Sequence, residues 1–147
     1  MKKMPTICIQ GATLSYEESD IIAFDEGLIG FPHLRRMVLV RQSDIAPFLW
    51  LVPLDDERLA FLTIDPRTLL ADYASHVPTD VRARLMCDAE DRLLMLCMVV
   101  MRADPSRSTV NLRAPVLISA RAMRGLQTIL ADSSYRVDQP LLVAEAA

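Results

Sequence analysis

Residues 47–66 read PFLWLVPLDDERLAFLTIDP, and the prediction of a β fold starts from this segment. Two apolar runs, residues 48–52 and 59–64, flank a polar segment that contains a proline and three consecutive acids. Short apolar runs around such a segment are typical of a β-hairpin. Because neither run alternates regularly with polar residues, we expect both faces of the hairpin to be covered and its strands to lie centrally in a sheet.

Trp50, the chain's one tryptophan, lies in the middle of the first run. We expect it to be a core residue, since truncating a well-packed Trp to Ala typically costs about 3–5 kcal/mol. The acids Asp55, Asp56 and Glu57 then form a solvated hairpin tip, which is the part of the hairpin that is free to meet a partner.

The composition favours a compact protein with an acidic surface. The chain has 147 residues, of which 52% are hydrophobic and 24% charged, so we expect residues 1–147 to form a single domain. Its net charge is −3 and its pI is near 5.3. A protein that grips nucleic-acid phosphates needs clustered Lys and Arg, so this charge favours a basic partner over direct nucleic-acid binding.

The cysteines and the apolar runs predict a cytoplasmic location. Cys8, Cys87 and Cys97 are odd in number and widely spaced, which favours reduced, buried thiols over a disulfide framework. The first ten residues lack an apolar segment of signal-peptide length. The longest apolar run, residues 93–101, is too short to cross a bilayer as a helix, so no membrane contact is expected.

The rest of the chain predicts a mainly β fold of about ten short strands, arranged as an antiparallel barrel or sandwich. One short helix is predicted over residues 79–86, with Thr79 as its N-cap and Val81, Leu85 and Met86 on one side. Gly125 is predicted to close a turn. Strands are favoured in residues 6–10, 12–15, 21–24, 37–40, 48–52, 59–64, 73–77, 93–101, 109–112, 115–119, 126–130 and 135–137.

No catalytic, metal or cofactor site is predicted. A nucleophilic triad would need His33 or His76 as its base, and both are expected in loops. No serine stands in a GxSxG pattern. The polar residues of segment 87–91, with His76, match no known spacing of metal ligands. The spacing of Gly27 and Gly30 is too short a signal for a nucleotide loop.

Six blocks of sequence in a fixed order point to a family. They are IIAFDEGLIGF (21–31), PFLWL (47–51), LAFLTIDP (59–66), TVNLRAPVLIS (109–119), GLQTIL (125–130) and DSSYRVDQPL (132–141). This pattern resembles the FliW family of bacterial flagellar assembly factors from about residue 21 to residue 141. The chain departs from the family pattern at Val52 and Pro53, where Gln and Ser are usual, and at Ser119, where Asn is usual.

The resemblance implies a flattened antiparallel β-barrel without enzymatic activity or cofactor. It also implies a partner switch, in which the protein binds the translational repressor CsrA, relieves repression of flagellin mRNA, and is competed for by flagellin. An acidic chain suits a basic RNA-binding partner by charge complementarity. We therefore expect CsrA and flagellin as partners, without direct contact to nucleic acid or membrane.

Two sets of residues follow as candidates. The acidic loops, residues 17–20 and 55–57, are the predicted contacts to CsrA. The acids in them are Glu17, Glu18, Asp20, Asp55, Asp56 and Glu57. The residues predicted to serve the scaffold are Gly27, Gly30, Phe31, Trp50, Asp65, Asn111 and Pro115.

Two other classes of protein stay open at this point. A nucleic-acid-binding barrel would bind RNA by itself, with an affinity that salt weakens steeply. A small hydrolase would bring His33 or His76 within hydrogen-bond reach of a nucleophile.

Overall fold

A computed structural model describes residues 4–73, 77–88, 90–131 and 133–141 of the chain. The strands of this part are β1 (Thr6–Ile9), β2 (Ala12–Ser15), β3 (Ile21–Ala23), β4 (Arg36–Arg41), β5 (Phe48–Pro53), β6 (Phe61–Ile64), β7 (Leu93–Val100), β8 (Thr109–Val110), β9 (Val116–Ser119), β10 (Arg124–Gln127) and β11 (Gln139–Pro140). Its helices are α1 (Thr79–Arg84) and the 3₁₀ turns Glu18–Asp20, Ser43–Ile45, Pro66–Thr68 and Pro105–Arg107.

Seven of the strands close a barrel. Strands β3, β4, β5, β6, β7, β9 and β10 are each hydrogen-bonded to the next, and β10 returns to β3. Six of the pairings are antiparallel. The closing pair is parallel, with Arg124 opposite Ala23. The predicted mainly β barrel is therefore confirmed, and the parallel closing pair is a feature that the sequence pattern did not predict.

The hairpin of residues 47–66 consists of β5 and β6, and β5 lies between β4 and β6 in the sheet. Side chains alternate across the sheet, as in any strand. Phe61 packs in one buried cluster, whereas Leu62 and Ile64 pack in another on the opposite face. The predicted central position of the hairpin is confirmed, and coverage of both faces of β6 explains why its run does not alternate in polarity.

The first cluster fills the barrel interior. Because six of the seven ring strands, all except β10, contribute buried or partly buried residues to it, it occupies the inside. Gly125 also faces this cluster, against the ring of Phe24, and lies within β10, so the predicted turn at Gly125 is wrong. The buried members are Ile22, Phe24, Leu28, Leu34, Met37, Leu49, Leu51, Leu96, Val116 and Ile118.

Trp50 lies on the outer face and is half-buried, not a core residue as predicted. It belongs to neither cluster, and Val40 and Leu62 lie opposite it on the adjacent strands. Its Nε1 is buried without a hydrogen-bond partner in the described part of the chain. Alternation along β5 explains the difference, since it places Leu49 and Leu51 inside and Trp50 outside.

The second cluster covers the outside of β6, β7, β9 and β10. Helix α1 packs on it through Val81 and Leu85, which are 3% and 1% exposed. Tyr73 is buried in the same cluster and donates a hydrogen bond from its hydroxyl to the carbonyl of Leu112, at 2.5 Å. The outer layer of the fold is therefore made by the segment between β6 and β7 together with residues of later segments, such as Leu112 and Leu141.

The helix differs from its prediction at both ends. Pro78 is the N-cap instead of Thr79, because the carbonyl of Pro78 already accepts hydrogen bonds from the N–H groups of Val81 and Arg82. Met86 follows the helix with a positive φ of 57° and is 61% exposed, so it does not share the buried side with Leu85.

Two predicted strands near the outer layer differ from the structure. Residues 135–137 form no strand; the last described strand is β11, which pairs with β8. In the predicted strand 73–77, Tyr73 lies in a turn, and residues 74–76 are outside the described residues.

The thiols are only partly as expected. Cys87 and Cys97 are buried and free, but Cys8 of β1 is exposed. Among the described strands, β1 and β2 pair with each other and with no third strand, and Cys8 lines a groove beside the end of β5. Within the ranges that the structure describes, no helix is long and apolar enough to cross a membrane.

Candidate partner-binding site

The tip of the β5–β6 hairpin folds back onto the start of β4. The Oδ2 atom of Asp55 accepts hydrogen bonds from the backbone N–H groups of Arg35 and Arg36, at 2.8 and 2.9 Å. Bonds from backbone donors to a carboxylate are charge-assisted and relatively strong. The sequence predicts a solvated carboxylate here, whereas the structure uses this one to hold the tip against the barrel.

Asp56 is also engaged within the tip. Its Oδ1 accepts hydrogen bonds from Nε and from the backbone N–H of Arg58, both at 3.0 Å. The hydrogen bond from the Arg58 guanidinium lowers the pKa of Asp56 below its ordinary value. The Asp56 side chain is 14% exposed and that of Arg58 is 88% exposed. The pair therefore presents mainly the guanidinium to solvent.

Glu57 borders a groove between the β1–β2 hairpin and the end of β5. This hairpin groove has a volume of about 340 Å³, and Tyr16, Arg36 and Glu57 are among its lining residues. Glu57 is exposed, and its carboxylate makes no hydrogen bond or ion pair with a described residue. It is the acid of the tip that remains available to a partner.

The second acidic loop ends at the same groove, because Tyr16 lines it and Glu17 follows Tyr16. The Oδ2 atom of Asp20 accepts a hydrogen bond from the backbone N–H of Glu17, at 2.8 Å. The hydroxyl of Ser19 donates to Glu17 Oε2 at 3.5 Å. These bonds close the turn locally. Glu18 is exposed, and its carboxylate is bonded to nothing in the described residues.

The loop between β3 and β4 contains three of the predicted scaffold residues. Gly27 has a φ of 65°, and a Cβ there would lie 2.5 Å from the carbonyl oxygen of Phe31, so no side chain fits. Phe31 packs edge-on against Phe61, with ring centroids 5.5 Å apart. Gly30 also has a positive φ, of 85°.

The other predicted scaffold residues bond to backbone. Asp65 accepts a hydrogen bond from the N–H of Arg67 and caps the following 3₁₀ turn. Asn111 Oδ1 accepts from the N–H groups of Arg113 and Ala114, at 3.1 and 3.2 Å. The carbonyl of the buried Pro115 accepts from the N–H of Thr128. The first two contacts fix turns beside barrel strands, and the third extends the antiparallel pairing of β9 and β10 by one residue.

The residues considered for catalysis or metal binding are dispersed or already bonded. His33 is exposed, and His76 lies outside the described residues. The carboxylate of Asp91 accepts hydrogen bonds from Arg121 and from the N–H of Asp88. In the part of the chain that the structure describes, no three His, Cys, Asp or Glu residues are placed to hold a metal ion.

Sequence reasoning missed a concentration of arginines. Outside the barrel, a depression of about 650 Å³ is lined by several residues including Arg41, Arg67, Arg82 and Arg92. We term it the arginine depression. These arginines come from four segments with no regular spacing, so the sequence pattern contains no signal that would group them.

The chain was compared with known families and proteins. The model of the FliW protein family matches residues 10–141. The flagellar assembly factor FliW of Caldanaerobacter subterraneus subsp. tengcongensis is 33% identical over 130 residues, which cover 88% of this chain and 87% of that protein. The flagellar assembly factor FliW of Thermotoga maritima is 30% identical over 125 residues, with 84% of each chain covered.

The fold has a counterpart among solved structures. A crystal structure of the flagellar assembly factor FliW superimposes with a TM-score of 0.86, covering 96% of this chain and 99% of that chain. The sequence identity in this comparison is 23%, so the likeness concerns the fold.

Proposed function

The chain belongs to the FliW family of flagellar assembly factors, and on that premise we propose that it binds the translational repressor CsrA and relieves repression of flagellin mRNA, with flagellin as the competing partner. The observation that carries the proposal is the family match over residues 10–141. This is a family of assembly factors and not of enzymes, so the chain acts through the proteins that it binds.

The exposed carboxylates support the choice of a basic partner. The net charge of the chain is −3. A repressor that binds RNA presents basic residues, and opposite charges accelerate and orient association. We propose that two exposed acids contact CsrA directly: Glu57, which lines the hairpin groove, and Glu18, which lies two residues after the lining residue Tyr16. Asp55, Asp56 and the Glu17–Asp20 turn then keep those two side chains in place.

The residues that depart from the family pattern, Val52, Pro53 and Ser119, differ in whether they reach the hairpin groove. Ser119 is fully buried, and its hydroxyl accepts a hydrogen bond from the N–H of Ala122 at 3.2 Å. Val52 and Pro53 are buried too, but they line the hairpin groove. A change at Val52 and Pro53 therefore alters the shape of the proposed surface, whereas Ser119 leaves it unchanged.

The proposal is tested by RNA release. Purified CsrA is bound to a labelled fragment of a flagellin mRNA leader, and the chain is added in increasing amounts. We expect the chain to dissociate CsrA from the RNA, and added flagellin to restore the CsrA–RNA complex. The chain by itself should not retain the RNA.

A variant at the two proposed contacts tests whether they are needed to release RNA from CsrA. A charge-reversed variant with Glu18→Lys and Glu57→Lys should release RNA only at higher concentration than the unmodified chain. If the chain fails to displace RNA while flagellin and CsrA both bind it, the switch is wrong and only an assembly role remains.

The switch requires all three proteins in one compartment, so we propose a cytoplasmic location.

A further inference from the structure

The arginine depression is a positively charged concavity on a protein whose net charge is negative. Four arginines and two aspartates, Asp72 and Asp91, are among its lining residues. Its volume of about 650 Å³ is within the range of sites that accept several side chains of a ligand.

Some of these charges are already matched by neighbours. Arg67 forms an ion pair with Asp65, and Asp91 forms one with Arg121. Arg82 donates hydrogen bonds to the carbonyls of Asp88 and Asp91, at 2.8 and 3.1 Å. These contacts hold Arg67, Arg82 and Asp91 in place and occupy hydrogen-bond donors of the two arginines.

Two guanidinium groups are left. Arg41, at the end of β4, and Arg92, directly before β7, are exposed. Neither side chain forms a hydrogen bond or an ion pair with the residues that the structure describes. Guanidinium groups bind carboxylates through paired, charge-assisted hydrogen bonds, so two arginines facing one depression suit a ligand with two acidic groups.

The rest of the lining favours a peptide over a nucleic acid. Leu93 and Val77 are partly buried and offer apolar surface between the charged groups. Among the described residues of the lining, the aromatic ring is that of Tyr73, which is only 1% exposed, so these residues present no ring for base stacking. Single-stranded nucleic acids need stacking surfaces and a continuous basic track, and Asp72 interrupts such a track here.

We propose that the arginine depression is a docking site for an acidic segment of a protein partner. Carboxylates of that segment pair with Arg41 and Arg92, and an aliphatic side chain between them lies against Leu93 and Val77. The site is opposite in charge to Glu18 and Glu57, the proposed contacts to CsrA, and the proposal does not depend on which partner binds those two residues.

The test uses the full chain and a synthetic probe. A fluorescently labelled peptide of alternating Glu and Leu is titrated with the chain at low salt, beside the same peptide with Gln for each Glu. The site variant is Arg41→Gln with Arg92→Gln. The matched control, Arg102→Gln with Arg107→Gln, changes two exposed arginines that line a different depression.

We expect the Glu peptide to bind and the Gln peptide to bind at least about tenfold more weakly. The site variant should lose affinity for the Glu peptide by a similar factor, and the control should keep it. Amide shifts of the unmodified chain should change around residues 67–73 and 92–95. These shifts locate the peptide even if the site variant folds poorly.

The proposal is overturned if the chain does not bind the Glu peptide, or if the site variant binds it as the unmodified chain does. It is also overturned if inorganic phosphate displaces the peptide when both supply the same concentration of negative charge, since the site then binds any anion. Tighter binding of an oligonucleotide at the same residues would identify a nucleic-acid site instead.

Discussion

The ring of Phe24 occupies the space that a side chain at Gly125 would need. A Cβ at position 125 would lie 2.4 Å from Cζ of Phe24, closer than non-bonded carbon atoms can approach. Phe24 is fully buried and follows β3, while Gly125 lies in β10, so the pair sits beside the parallel contact that closes the barrel. The missing side chain at Gly125 makes room for the largest side chain at that closure.

Gly125→Ala should therefore destabilise the fold. Overpacking a dense core by one methyl group typically costs about 1–3 kcal/mol of unfolding free energy, and urea denaturation measures it. Phe24→Leu removes the ring and should reduce the cost of the alanine. If Gly125→Ala costs the same in the Phe24→Leu background, contact with Phe24 is not the cause.

Asp55→Ala should destabilise the chain, because two backbone N–H groups of residues 35 and 36 lose their acceptor. We expect a loss of about 1 kcal/mol of unfolding free energy, less than is usual for hydrogen bonds to charged groups because the residue is exposed. Asp55→Asn keeps an acceptor oxygen and should cost less. Glu57→Ala serves as the control and should change the urea midpoint little; equal losses in both would contradict the role assigned to Asp55.

Thiol labelling should distinguish the three cysteines. Cys8 is exposed, whereas Cys87 and Cys97 are buried, and burial raises the pKa of Cys97 to about 12. Because the thiolate is the reactive form, we expect one fast reaction with a disulfide reagent in the folded chain and two more thiols after unfolding. Cys8→Ser should abolish the fast reaction, and a fast reaction that persists in this variant would show that a buried thiol is accessible.

Asp91 should contribute to stability in a pH-dependent way. The hydrogen bond from Arg121 lowers the pKa of Asp91 in the folded chain. Its contribution is therefore present above the unfolded value of about 3.9 and is lost as the pH falls through the lower, folded pKa.

This dependence is measured by comparing urea midpoints of the unmodified chain and Asp91→Asn. The unmodified chain should be the more stable near neutral pH, and the difference should shrink below about pH 4. Asp44→Asn, at an exposed carboxylate without a bond to the described residues, is the control. A difference that stays constant down to strongly acid pH would mean that the ionised form of Asp91 is not what stabilises the fold.

The sequence predicts the barrel because most of its strands are short and are marked by patterns of neighbouring residues. The hairpin of residues 47–66 is set by apolar runs and by turn residues a few positions apart, and those signals lie within one stretch. The contact between β3 and β10 joins residues about a hundred positions apart, and no local pattern encodes it. Trp50 was misplaced for a related reason: when both faces of a strand are apolar, the pattern does not say which face is inside.

The candidate site was harder to predict than the fold. Residues 55–57 are three consecutive acids, yet Asp55 bonds to the backbone of residues 35 and 36, and Asp56 bonds to Arg58. Glu57 is therefore the acid of the three that remains available to a partner. The arginine depression depends on four segments meeting outside the barrel. The assignment of residues 1–147 to a single domain stays a prediction.

Binding of CsrA through Glu18 and Glu57 is measured by calorimetric titration of the chain with purified CsrA. The unmodified chain should bind CsrA with an affinity that falls as salt rises. Glu18→Lys with Glu57→Lys should weaken binding by at least about tenfold, while the matched control Asp44→Lys with Glu90→Lys should bind as the unmodified chain does. Absence of CsrA binding, or equal affinities for the two charge-reversed variants, would contradict the account.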